Sequence, residues 1–312
     1  MINRVLRKIY RKFFTTTQVV SAKNNVILGQ NCSVHPSSML ETSEEGNIQL
    51  LGNNYIGRNV EIGAIKLIQI GFNSSIQDRC IILGDVEIGN YCTFAPNVYI
   101  SSGRHYYNFK PNYYIKDQDE LIANDKLLSQ AHSKKVIIGD DCWLGINSVI
   151  MSGITIGRGC VIGANSVVTK NLEPFSVVAG APAKVIKQRL NFIPKTNLVY
   201  TEENDLPNFY KGFFIDLKSL KESNMLGGIA ASSNFMFYLA ADAKKIILTV
   251  KKSSVLPILT LSYNLQEIKL ENEEFVLLTF NALPQLYHTF CVKEIRDISI
   301  RCLVVKSVEI IN

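Results

Sequence analysis

Between Ile70 and Ile100, and again between Ile138 and Val168, an aliphatic residue or phenylalanine returns every six residues. The first run reads Ile70, Ile76, Ile82, Ile88, Phe94, Ile100, and the second Ile138, Leu144, Ile150, Ile156, Ile162, Val168. Glycine often follows the anchor, as at Gly71, Gly89, Gly139, Gly145, Gly157 and Gly163. Four positions after each anchor stands a small or aliphatic residue: Ser74, Cys80, Val86, Cys92 and Val98, then Cys142, Ser148, Ile154, Cys160 and Ser166. A period of six suits neither a helix face, which repeats at about 3.6, nor an alternating strand. It fits a mainly β chain wound as a parallel β-helix, one short strand and one tight turn per hexapeptide, three hexapeptides to a coil. Residues 25–69 read as imperfect opening coils anchored at Leu28, Val34, Leu40, Ile56, Ile62 and Ile68. They carry an insertion at 41–47 and a two-residue slip before Ile70. Residues 175–190 read as a tail, with Pro174 and Pro182 closing the repeat.

The ladder stops over residues 101–137, and that gap holds His105. A repeating prism has little chemistry of its own, so the interruption is where function is expected. Tyr106, Tyr107, Tyr113 and Tyr114 follow the histidine, with Asn108 and Phe109 among them. Tyrosine offers a sugar a flat face and a hydroxyl, and it also packs subunit interfaces; both readings of these rings stand.

The net charge of +6 is uneven. Arg4, Arg7, Lys8, Arg11, Lys12 and Lys23 lie in residues 1–24, which hold no acid, so the remainder is neutral. A nucleic-acid partner is therefore not expected, because a folded body that binds one carries a basic face. Within residues 2–14, Ile2, Val5, Leu6, Ile9, Tyr10, Phe13 and Phe14 recur at helical spacing opposite the cations. This amphipathic helix either lies on an anionic membrane surface or covers the open end of the first coil. No apolar run is long enough to span a bilayer, and the segment is too charged for a secretion signal. A cytoplasmic protein, with peripheral contact at the inner face of the membrane if the first reading holds, is expected.

Seven cysteines are an odd number. Cys32, Cys80, Cys92, Cys142 and Cys160 all occupy the small-residue position, so they read as core packing in a reducing compartment. Beyond a linker at 191–195 the texture changes. Residues 235–239, 246–250, 256–261, 275–280, 298–305 and 307–311 look like strands of an antiparallel, β-sandwich-like domain over 196–312. Its role is not legible. Tyr210, Phe213, Tyr263 and Tyr287 are the aromatics to watch if it binds sugar.

The stretch from Cys92 to Leu190 contains CTFAPNVYISSGRHYYN and then VIIGDDCWLGINSVIMSGITIGRGCVIGANSVVTKNLEPFSVVAGAPAKVIKQRL. It resembles the hexapeptide-repeat, left-handed parallel β-helix acyltransferases, nearest to the galactoside and maltose O-acetyltransferases and their capsule and lipopolysaccharide relatives. The resemblance covers residues 25–190 and rests on repeat, histidine loop, Trp-x-Gly segment and AGxPAK tail occurring in that order. The left hand of the helix comes from the resemblance alone.

The resemblance implies that His105 is the general base, since an attacking hydroxyl must lose its proton and a neutral imidazole suits that near pH 7. It implies that Trp143 packs beside the acetyl-CoA channel. Backbone N–H groups around Gly145 and Ile146 are expected as oxyanion donors. Ala164, Thr169, Lys184 and Lys187 match the coenzyme positions, with lysine where some relatives carry arginine, which supplies charge without the bidentate fork. Tyr106, Tyr107, Tyr113 and Tyr114 are the acceptor-binding candidates. No metal is expected: His35, His132 and His288 lie outside the motif, and a zinc site needs convergent ligands. The family also implies a homotrimer with sites between prisms. The reading that follows is an acetyl-CoA-dependent O-acetyltransferase of a bacterial surface polysaccharide. Its rivals are N-acetylation of an amino-sugar nucleotide, acetylation of an antibiotic, and a non-catalytic glycan-binding scaffold.

Overall fold

The computed structural model describes residues 25–125, 127–129, 134–253, 258–271, 274–293 and 301–311, and of Leu217 the backbone only. The amphipathic helix expected at 2–14, and His132, lie outside the described residues. Two compact units divide between Asn191 and Phe192.

The first unit is a parallel β-solenoid. Every ladder anchor from Ile70 to Ile100 and from Ile138 to Val168 is at most 1% exposed, so the six-residue period marks the inward side chain of each short strand. The small positions fill the corners between them: Ser74, Cys80, Cys92, Cys160 and Ser166 are fully buried. Each aliphatic side chain removed from water contributes about 1.5–3 kcal/mol, and stacking makes that column continuous. One face of the solenoid runs through Ser33–Val34, Tyr55–Ile56, Ser75–Ile76, Thr93–Phe94, Trp143–Leu144, Val161–Ile162 and Ser176–Ala179. It closes on the antiparallel strand Lys184–Gln188, which the sequence left as a tail. The other faces are joined into one sheet, because Glu61–Ile70 and Ile81–Ile88 run straight through a corner. The two-residue slip before Ile70 appears there as a register shift between Ala64 and Ile68.

Turns are made by residues in the left-handed region, mostly asparagine, at Asn31, Asn53, Asn59, Asn73, Asn97, Asn147 and Asn165. Asparagine tolerates this conformation and its amide can bond onward. At one corner Arg79 Nε donates to Asn97 Oδ1 (2.8 Å), Asn97 Nδ2 to Asn147 Oδ1 (2.9 Å) and Asn147 Nδ2 to Asn165 Oδ1 (2.9 Å). That amide chain runs past the interruption without a break.

All seven cysteines are free. Four of the five ladder cysteines are buried, whereas Cys32, in an opening coil, is only partly so. Burial pushes the Cys80 thiol up to about 11 and the Cys160 thiol up to about 12, and a hydrogen bond with Cys92, then burial, raises Cys142 well above its ordinary value. A motif cysteine held as the thiol is no nucleophile. In the native protein, alkylation with iodoacetamide followed by peptide mass mapping will label Cys32 and Cys291 well before Cys80, Cys92, Cys142 and Cys160. Rapid labelling of Cys142 would contradict this packing.

The second unit is an antiparallel sheet of nine strands around a phenylalanine-rich core. Strands Ile229–Tyr238, Lys245–Lys252, Leu259–Tyr263 and Val276–Asn281 overlap the expected segments, of which 256–257 lie outside the described residues. Of the expected strand at 298–305, residues 298–300 lie outside the described residues; the rest joins 307–311 in one strand, Leu303–Ile311, which pairs along Lys245–Lys252 through a bulge at Thr249/Val250. Asn197–Val199, Phe209–Phe213, Gln266–Leu270 and Tyr287–Val292 were not anticipated. Nor was the helix Leu217–Leu226, capped by the Asp216 side chain and ended by Gly227 at φ 72°.

Tyr263 is corrected by this packing: it is 2% exposed and stacks on Phe290, so it is core and presents no face to a sugar. Its hydroxyl lies 2.7 Å from Nδ1 of His288, which is fully buried. Among the described residues His288 Nε2 has no partner. Burial lowers the His288 pKa below its ordinary 6.5, so the unfolded chain takes up the proton first. The neutral ring's contribution is complete above about pH 6.5 and is lost as pH falls below it, at up to ~1.4 kcal/mol per pH unit. The second unit's melting midpoint will therefore drop between pH 7 and pH 5, and His288→Gln will flatten that slope. An unchanged slope in the variant would remove His288 from the account.

Candidate active site

The interruption is an insertion into an intact ladder. Phe94 pairs with Leu144 and Ile100 with Ile150, where Ile76 pairs with Phe94 directly. Thr93 N–H donates to Cys142 O (2.9 Å), and Trp143 N–H to Cys160 O (2.9 Å), so coils on either side stack as though nothing intervened. The chain leaves after Tyr99–Ser101 and returns at Val136–Ile138. Ser152 Oγ, donating to Ser102 O at 2.6 Å, fixes the departure point.

The excursion, expected as a loop, contains the helix Ile115–Ala123. Gln118 and Ile122, one turn apart, are its buried residues. Gln118 Oε1 accepts from Lys110 N–H (2.9 Å), and its Nε2 donates to Tyr113 O (3.0 Å). A single buried amide thus ties the tyrosine-rich segment to the helix.

The next residue, Asp119, meets the histidine. Its Oδ2 lies 2.7 Å from His105 Nδ1, and its Oδ1 accepts from Tyr106 N–H at 2.8 Å. The Tyr106 N–H, and then His105, hold the Asp119 carboxyl below its ordinary 3.8. A carboxylate on Nδ1 fixes that nitrogen as the donor and leaves Nε2 as a proton acceptor. The His105 side chain is 84% exposed, so Nε2 is open to a reactant. Sequence reading missed Asp119, which stands fourteen residues away in no motif; the signal available was a carboxylate on an amphipathic segment inside the same gap.

Trp143 is 55% exposed on the face that also carries Thr93 and Val161. Ile146 and Ala164 occupy one corner in successive coils, with Asn165 N–H donating to Ile146 O (2.9 Å). Thr169 sits at the corner from which the excursion departs: Met151 N–H, one coil earlier, donates to Val168 O (3.1 Å). Lys184 and Lys187 are exposed on the closing strand. The structure does not support Gly145 as an oxyanion donor. Its N–H is engaged by Ile162 O at 2.8 Å, and a Cβ there would come within 2.6 Å of Ala164 N, so the glycine serves the coil stacking. Of the two expected donors, Ile146 is left. Tyr107, Tyr113 and Tyr114 are 68%, 56% and 84% exposed, while Tyr106 is half-buried. Among the described residues no group of three or more His, Cys, Asp or Glu is placed to hold a metal ion.

Residues 68–102 match the family described as bacterial transferase hexapeptide (six repeats), and residues 135–170 match the hexapeptide repeat of succinyl-transferase. Over 132 residues the chain is 36% identical to the galactoside O-acetyltransferase of Escherichia coli (strain K12), covering 42% of this chain and 55% of that protein. Over 106 residues it is 36% identical to a chloramphenicol acetyltransferase of Klebsiella aerogenes, covering 33% and 50% respectively. The solved structure of the polySia specific acetyltransferase NeuO aligns with TM-score 0.42 and 21% identity, over 56% of this chain and 71% of that one. The chain thus spans about half the length of these two curated relatives. Coils, repeat and interruption define a hexapeptide-repeat protein. The chain is similar in sequence to hexapeptide-repeat acetyltransferases over these segments.

Proposed function

We propose that the protein is an acetyl-CoA-dependent O-acetyltransferase acting on a sugar hydroxyl of a bacterial surface polysaccharide. The observation that carries the reading is the His105–Asp119 pair at 2.7 Å on the excursion at 101–137. With Nδ1 held by the carboxylate, Nε2 takes the hydroxyl proton as the sugar oxygen attacks the thioester carbonyl. The tetrahedral oxyanion is met by backbone N–H, for which Ile146 is the candidate. Collapse breaks the carbon–sulfur bond, and the imidazolium returns its proton to the departing thiolate. Transfer is direct, with no acetyl-enzyme.

Trp143, Ala164 and Thr169 line the coenzyme's course in this reading, and Lys184 and Lys187 meet its phosphates. The acetyltransferase names of the curated relatives support the reaction, and the galactoside enzyme supports a sugar acceptor. Trp143 lies on one face of the prism and the excursion leaves from the next. A homotrimer that brings neighbouring prisms together would assemble both halves of such a site. The unit from 192 onward is proposed as a separate domain without assigned chemistry.

Asp119→Asn tests the pair. Asparagine keeps the shape but not the charge that orients Nδ1–H. We expect kcat to fall about 10–10²-fold with KM for acetyl-CoA nearly kept. In a serine protease, where the acid is buried, the corresponding substitution costs about 10⁴ by leaving the wrong tautomer; the Asp119 side chain is 29% exposed, so a smaller loss is expected. Unchanged kcat by steady-state assay of coenzyme A release would remove Asp119 from the mechanism.

A further inference from the structure

The excursion has almost no interior of its own. From 103 to 117 nothing is buried, and Tyr106 alone is half-buried. Apolar packing cannot fix the shape of such a stretch, so hydrogen bonds to its backbone must. Gln118, 1% exposed, supplies them. Its Oε1 accepts from Lys110 N–H, and its Nε2 donates to Tyr113 O and, over a longer 3.5 Å, to Tyr107 O. One N–H on the oxygen side and two carbonyls on the nitrogen side give the amide a single orientation. Tyr113 N–H, donating to Lys110 O at 2.9 Å, closes the turn between them. Every bond of this side chain goes to the turn at 107–113 and none to the coils. An apolar side chain would suffice to pack the helix, whereas a buried amide with its groups satisfied specifies one conformation of the turn. The next residue, Asp119, holds His105 Nδ1 and Tyr106 N–H. Two successive helix residues thus grip the chain at 105–106 and at 107–113, which fixes the turn in register with the base.

Resting on the acetyltransfer reading, we propose that Gln118 is the residue that sets acceptor recognition. It is a positioning residue, acting through the turn that carries the exposed rings of Tyr107 and Tyr113. The acceptor sugar stacks a ring face on these two tyrosines while its hydroxyl reaches His105 Nε2. Holding the turn before the sugar arrives removes an ordering cost from acceptor binding and leaves the chemical step to the His105–Asp119 pair. The two neighbours divide the work: Gln118 governs KM for the acceptor, and Asp119 governs kcat.

The test uses the full chain with acetyl-CoA and a glycan panel of methyl galactoside, hexuronate-containing oligosaccharides and UDP-N-acetylglucosamine. The acceptor with the highest kcat/KM is carried forward. Gln118→Met keeps the length of the side chain and removes its hydrogen bonds. Acceptor KM should rise at least about fivefold, the scale of one buried group left unpaired. The kcat at saturating acceptor and the KM for acetyl-CoA should stay nearly unchanged. In a Tyr107→Ala/Tyr113→Ala background most of that rise should disappear, because a residue that acts through others is not additive with them. Unchanged acceptor KM, or full additivity with the two tyrosines, would overturn the inference while leaving acetyl transfer intact. A fall in kcat of the size expected for Asp119→Asn, with or without a change in KM, would make Gln118 a brace of the base and overturn it too. Absence of all turnover on the panel would overturn the acetyltransfer reading instead. Calorimetry with the same glycans in the presence of coenzyme A then decides for Gln118: weaker binding in Gln118→Met upholds its role, and equal binding or none overturns it.

Discussion

His105→Ala will lower kcat by about 10²–10⁴-fold while leaving acetyl-CoA affinity nearly unchanged. The range is that of a positioned general base whose proton transfer is lost. Affinity is kept because the imidazole stands on the excursion, whereas the coenzyme positions stand on the coils and closing strand. Steady-state release of coenzyme A gives the first quantity and calorimetry with acetyl-CoA the second. The removed ring was 84% exposed, so the variant leaves no cavity and a folding defect is not expected. Retained turnover would sink the assignment of the base, and loss of acetyl-CoA binding would place His105 at the coenzyme instead.

The largest expected effect on stability lies one rung away. Phe94 is fully buried, and its strand pairs with Ile76 in one coil and Leu144 in the next, so it closes the coil from which the excursion leaves. Phe94→Ala will destabilise the solenoid by about 3–5 kcal/mol, combining lost transfer energy with the cavity left in a stacked column. With a urea slope of about 1–3 kcal/mol/M, the midpoint moves down by at least ~1 M. Trp143 is the single tryptophan and pairs with Thr93, so its fluorescence reports this unit and not the second. Phe94→Leu, which supplies the residue type found at Leu144, will recover most of the loss. A midpoint shift below ~0.3 M for the alanine variant would mean that the coils do not stack as described.

The solenoid was legible in the sequence because its inward side chains are dictated by position alone. An anchor every six residues must turn inward if three strands and three turns make a coil, and Ile70 through Val168 obey. His105 was legible for the opposite reason, as the histidine where the pattern fails. Asp119 was not, because its role depends on a helix that turns Gln118 and Ile122 inward and the neighbouring carboxylate toward the imidazole. That geometry is tertiary and leaves no short-range spacing. The Gly145 amide was misjudged because a motif position says which residue is present, not which carbonyl engages its N–H. In the second unit, edge pairings such as Gln266–Leu270 on Leu259–Tyr263 carry too few apolar residues to stand out.

The central claim is that acetyl transfer to a sugar oxygen runs from the base in the interruption. It is tested most directly by incubating the protein with carbon-13-labelled acetyl-CoA and the glycan panel, then analysing the products by mass spectrometry before and after mild alkali. The account predicts one labelled acetyl group per modified sugar, released by alkali as an ester, and absent from the His105→Ala reaction. An alkali-stable amide, or labelled ester formed equally well without His105, would contradict it.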